Sequence, residues 1–101
     1  MAMTHFHLKG ESMKIQAAVV KEQGVTFAVV VVKRHIVDSQ QQALTARTSF
    51  IRYFPGLPII LMAQDSRGTP TYSGRRDIVQ FLVNVPMEAL PWKEFTFTEA
   101  A

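Results

Sequence analysis

The stretch LPIILMAQDSRGTPTYSGRRDIVQFLVNV, residues 57–85, carries four successive structural signals. Residues 59–63 are apolar without alternation, the pattern of a strand buried on both faces. Asp65-Ser66-Arg67-Gly68 follows as a hairpin loop, with Gly68 where a positive φ is needed. Pro70 falls in the return strand and cannot donate to a ladder, which places that strand at a sheet edge. Ile78, Phe81, Leu82 and Val85 then have the i, i+3, i+4, i+7 spacing of a buried helix stripe. This helix is expected from Gly74 to about Val85, with Asp77 near its third position to suit the dipole and Pro86 as its stop.

Upstream, residues 14–21 read as a first strand, and Glu22-Gln23-Gly24 as a tight turn. Residues 25–32 form a second strand with Val25, Phe27, Val29 and Val31 on one face and Ala28, Val30 and Val32 on the other. A strand apolar on both faces belongs in the middle of a sheet. Lys33-Arg34-His35 brings the chain to solvent. Asp38-Ser39 opens a helix, where Ser39 and Gln42 have the spacing of a capping box. Ala43, Leu44, Phe50, Ile51 and Phe54 share one side of that helix, and Phe54-Pro55-Gly56 ends it.

Downstream, Ala89, Leu90, Pro91 and Trp92 make an apolar corner. Trp92, Glu94, Thr96 and Thr98 then alternate with Lys93, Phe95 and Phe97, and residues 94–98 read as a short strand or extended arm. Residues 1–12 show no period and read as a flexible leader before one folded unit at 13–101. His5 and His7, on that leader, are most simply incidental.

The order is therefore β-β-α-β-β-α with a possible C-terminal strand: a single small α/β (α+β) domain on a four-stranded mixed sheet. Strands two and three are parallel neighbours joined by a right-handed crossover, and the sheet order follows the chain. Both helices are expected on one face. A wholly antiparallel sheet with the helices on one face is the alternative; the doubly apolar central strands favour the mixed sheet.

Leu57-Pro58, a buried strand, a tight hairpin, an edge strand, Gly74 and a closing helix together resemble the C-terminal half of the thioredoxin fold. The resemblance covers half to two-thirds of the chain and implies a cis Leu57–Pro58 bond. It does not carry the chemistry over. At the helix start, where that family places its redox motif, this chain has Val37-Asp38-Ser39-Gln40. A leading hairpin also replaces the family's first strand-helix unit.

Composition narrows the function. A chain of 101 residues makes one domain, and 48% apolar against 19% charged residues argues against disorder. The absence of cysteine excludes disulfides, thiol redox chemistry and cysteine-ligated zinc. No apolar run approaches the roughly 18 residues of a membrane span, and no signal-peptide pattern is legible, so the cytoplasm is the expected location. A net charge of +3 without a basic stripe argues against nucleic acid. No cofactor motif is present.

The foremost candidate site is Gly74-Arg75-Arg76, with Tyr72 and Ser73 before it. Free N–H groups and two guanidinium forks there could bind a phosphate or carboxylate. The plainer reading pairs the arginines with Asp65 or Asp77. Arg47 is the second candidate, because it lies near the middle of an apolar helix stripe. Its stem would pack while its head reaches the sheet end, or reads a ligand carboxylate. His35, Asp38 and Ser39 are more simply a solvent histidine and a helix cap than a nucleophilic site. Tyr53, Tyr72 and Trp92 are more simply packing residues than a pocket lining. The expected function is non-catalytic binding or protein interaction, with self-association as a homodimer. The dimer would form through an uncovered sheet face or the C-terminal arm. The alternative is a small enzyme or ligand-binding domain that takes an anionic small molecule at Gly74-Arg75-Arg76.

Overall fold

The computed structural model describes residues 12–22 and 24–98. The expected leader, apart from Ser12, lies outside the described residues, as do His5, His7 and Gln23. Five strands, β1 (Ser12–Glu22), β2 (Val25–Val31), β3 (Ile59–Gln64), β4 (Pro70–Ser73) and β5 (Trp92–Thr98), form one mixed sheet in the order β4-β3-β2-β1-β5. β2 and β3 are parallel; the other three neighbouring pairs are antiparallel. The chain-order sheet is thus present, extended by a fifth strand beside β1. The wholly antiparallel alternative is excluded.

The doubly apolar segments sit where burial on both faces requires. Ala28, Val29 and Val30 of β2 and Ile60 and Leu61 of β3 are fully buried. β4 is an edge strand of four residues with Pro70 at its start. In the loop before it, one Asp65 carboxylate oxygen accepts the backbone N–H groups of Arg67 (2.8 Å) and Thr69 (2.9 Å). These bonds hold the Asp65 carboxyl below the usual range, the Thr69 bond foremost. Gly68 closes the loop at φ 86°, in the left-handed region that its position predicts.

Three helices complete the fold: α1 (Arg34–Val37), α2 (Gln40–Phe50) and α3 (Arg76–Leu82). α1 occupies residues expected only to lead the chain into solvent. Ser39 caps α2, its Oγ accepting the Gln42 N–H at 3.2 Å. The reciprocal half of the capping box is absent, because the Ser39 N–H turns back to the Ile36 carbonyl. On α2 the buried side runs through Ala43 and Ala46 toward Phe50 and Phe54. Leu44 and Ile51, expected on that side, are instead 58% and 50% exposed. A narrow stripe of small residues lets the helix lie close to the sheet, and its flanks stand off.

The two main helices lie on opposite faces, which corrects the expectation of a shared one. α2 packs over Ile15, Ala17, Ala28, Val30, Ile59 and Leu61. α3 packs over Ala18, Val20, Phe27, Val29, Ile60 and Met62. The crossover-handedness rule constrains connections between parallel strands. β4 and β5 run antiparallel to each other, so the rule leaves their connection free to cross the vacant face. α3 is shorter than expected: it ends at Leu82, and because it starts at Arg76, Asp77 is its second residue. A single 3₁₀ turn, Met87–Ala89, carries the chain on to β5. The second face is therefore covered by the chain's own C-terminal segment, and the argument for a dimer through that face falls. The Leu57–Pro58 bond is trans, contrary to what the thioredoxin-like resemblance implies.

Candidate functional site

The six residues expected to bind a ligand are not gathered into one site. Side chains alternate along β4, so Tyr72 and Ser73 point to opposite faces. Tyr72 sits opposite Met62 and packs into the α3-side core. Its hydroxyl is buried without a hydrogen-bond partner among the described residues, and burial pushes its pKa up. Arg75 is spent locally: its Nε and Nη2 donate to the two Asp77 carboxylate oxygens at 2.8 and 2.9 Å. That bond raises the Arg75 pKa and lowers that of Asp77. Arg76 is exposed on the first turn of a helix of only seven residues. Gly74 has a packing role instead. A Cβ there would lie 2.6 Å from Ile60 Cδ1 and 3.1 Å from the Ile59 carbonyl oxygen. The chain leaving β4 passes directly against β3, and only glycine fits.

Two of the six do meet. Arg47 Nη1 on α2 donates to Ser73 Oγ on β4 at 2.8 Å, across half-buried surroundings. Its stem packs and its head reaches the sheet edge, as the stripe position implies. Beside it Leu44, Ile51, Leu57 and Pro58 line a shallow depression of about 240 Å³. Among the described residues no carboxylate pairs with this guanidinium.

The remaining polar candidates are structural. Asp38 accepts from Arg34 Nε at 3.3 Å, Ser39 caps α2, and His35 is exposed. Tyr53 packs against Phe97 with ring centroids 4.8 Å apart and the rings tilted by 48°.

The larger concavity involves the third aromatic candidate, Trp92, and was not assembled by sequence reasoning. It is a groove of about 280 Å³ on the α3 side of the sheet, beyond the reach of α3. Met62 and Val31 form its floor. Met87, Trp92, Gln64, Gln16 and Glu94 line it too, with Gln16 on β1 directly opposite Glu94 on β5. Trp92 is fixed there by its indole N–H, which donates to the Met87 carbonyl at 2.8 Å. The alternation along residues 92–98 could have signalled this site: it puts Trp92 and Glu94 on one face, away from Phe95 and Phe97.

No known protein family, characterised protein or solved structure matches the chain. Its chemistry must be read from these surfaces alone. Among the described residues no helix is long and apolar enough to cross a membrane, and no group of three or more His, Asp or Glu side chains converges on a metal position.

Proposed function

We propose that the chain is a non-catalytic interaction domain that pairs with a second copy of itself through β5. The supporting observation is the outer edge of that strand. β5 pairs with β1 over seven consecutive residues without a bulge or proline, and no described strand lies on its other side. The opposite edge is protected by its shortness and by Pro70; β5 is longer and has no proline, and its charges, Lys93 and Glu94, lie in its first half. A twofold antiparallel pairing keeps each face continuous, so only residues of one parity meet. Registers centred on Lys93 or Glu94 oppose like charges. Those centred on Phe95 or Thr96 do not, and they extend the aromatic band in which Phe95 and Phe97 pack on Phe54.

Sedimentation at micromolar concentration is expected to show a dimer. The double substitution Glu94→Lys, Thr96→Lys opposes lysines in every register centred on residues 94 to 96, and both positions are exposed. That variant is expected to sediment as a monomer with an unchanged circular dichroism spectrum. A monomeric wild type would overturn the reading.

Arg47 supports a second reading, an anionic small molecule bound in the Leu44–Ile51 depression rather than at the helix start. A short-chain fatty carboxylate such as hexanoate should then raise the Tm of the wild type but not of Arg47→Gln. Equal shifts in both would end it.

A further inference from the structure

We infer that the Trp92 groove is a binding site for a small amphipathic cation, an ammonium group carried on an apolar body. The site is separate from Arg47; it takes Trp92 and Glu94 from β5, but through the α3-side face of that strand and not through its backbone edge.

Charge selects the ligand. Among the described residues Glu94 is the only one of the lining that directs an ionised head toward the groove. Lys93 lines it too, but its ammonium lies on the other side of the sheet, 5.3 Å from the centre of the Phe95 ring. Gln16 and Gln64 are neutral. Lys14 stands opposite Thr96 on the same face as Gln16 but is not part of the lining. Among the described residues no cation pairs with Glu94.

Geometry adds the second half. Trp92 and Glu94 are two apart on one strand, so their side chains rise from the same face. An indole face beside a carboxylate is the combination that holds an ammonium, by cation–π attraction and ion pairing together. The hydrogen bond to Met87 keeps the indole in place before any ligand arrives, which limits the ordering cost of binding. Val31 and Met87 then offer apolar contact to a body about the size of one ring, and the Met87 thioether adapts to its shape.

Trp92 is the chain's single tryptophan, so its fluorescence reports this groove alone. The wild type is titrated with phenethylamine, 2-phenylethanol and 3-phenylpropionate, which share a body and differ in charge. The amine is expected to change the emission saturably and to bind roughly tenfold more tightly than the alcohol. The carboxylate is expected to bind more weakly still. Glu94→Gln, at an exposed position, should keep the fold and shrink the amine's advantage over the alcohol to what the indole alone supplies. Absence of saturable change with the amine overturns the inference. So does equal binding of all three ligands, or a preference for the amine that is undiminished in Glu94→Gln. Thermal shifts with the same ligands provide a readout independent of fluorescence.

Discussion

Replacing Leu82 by alanine is expected to cost about 2–5 kcal/mol of stability. α3 has seven residues, too few to be helical alone, so packing must supply its stability. Only Ile78 and Leu82 are buried on it, and Leu82 is fully so. Leu82 belongs to the cluster of Phe27, Val29, Ile60 and Met62, all on strands held from both sides. Those strands cannot close into the space left behind. In a domain of this size each 1 kcal/mol lowers Tm by about 4–8 °C, so a fall of roughly 10 °C or more is the measurable result. The variant should also bind a hydrophobic dye as the sheet face opens. Leu44→Ala is the control: Leu44 is 58% exposed, and its loss should change stability by no more than about 0.5 kcal/mol. Comparable costs for the two would mean that α3 does not seal the second face.

Gly74→Ala is expected to destabilise by about 1–3 kcal/mol, the usual range for an overpacked core. The new methyl would meet Ile60 Cδ1 at 2.6 Å, and Ile60 is fully buried, so that end has little room to move. The Ile59 carbonyl oxygen at 3.1 Å belongs to a strand inside the sheet and cannot withdraw. At φ 155° the backbone is also in a region that side chains resist. A urea titration measures the loss directly as a lower midpoint at constant slope. An unchanged midpoint would return Gly74 to the role first considered for it, an opening for a ligand at the helix start.

Much of the sheet was legible because its signals are local. The non-alternating runs at 25–32 and 59–63 fixed the central strands, Pro70 an edge, and Gly68 a turn. Ser39 was readable as a cap for the same reason. The side of the sheet that each helix takes was not legible. It depends on whether the joined strands are parallel, and that required knowing where the last strand pairs. Leu44 and Ile51 were misplaced because helical spacing gives angles and not the depth to which a flank reaches the sheet. At the helix start the plainer reading holds for one arginine: Asp77 lies two residues from Arg75 and pairs with it, while Arg76 stays exposed. Arg47 and Ser73 are 26 residues apart and meet only through the tertiary fold. The Trp92 groove was missed because its floor comes from strands classed as wholly buried, and it exists only where α3 stops short.

The pairing of β1 with β5 places Ser12 opposite Thr98, so the first and last described residues share one rung of the ladder. Tension applied at Ser12 and Thr98 would act across that rung alone. The backbone bonds of the pair would then break one after another, each bearing the load in turn, instead of sharing it as strands do when pulled past each other. β5 would peel away first and take with it Phe95 and Phe97, whose rings pack on Phe54. Under mechanical load this domain is a zipper with both tabs at the same end. It would yield at low force, although its core, warmed or titrated with denaturant, unfolds as a whole.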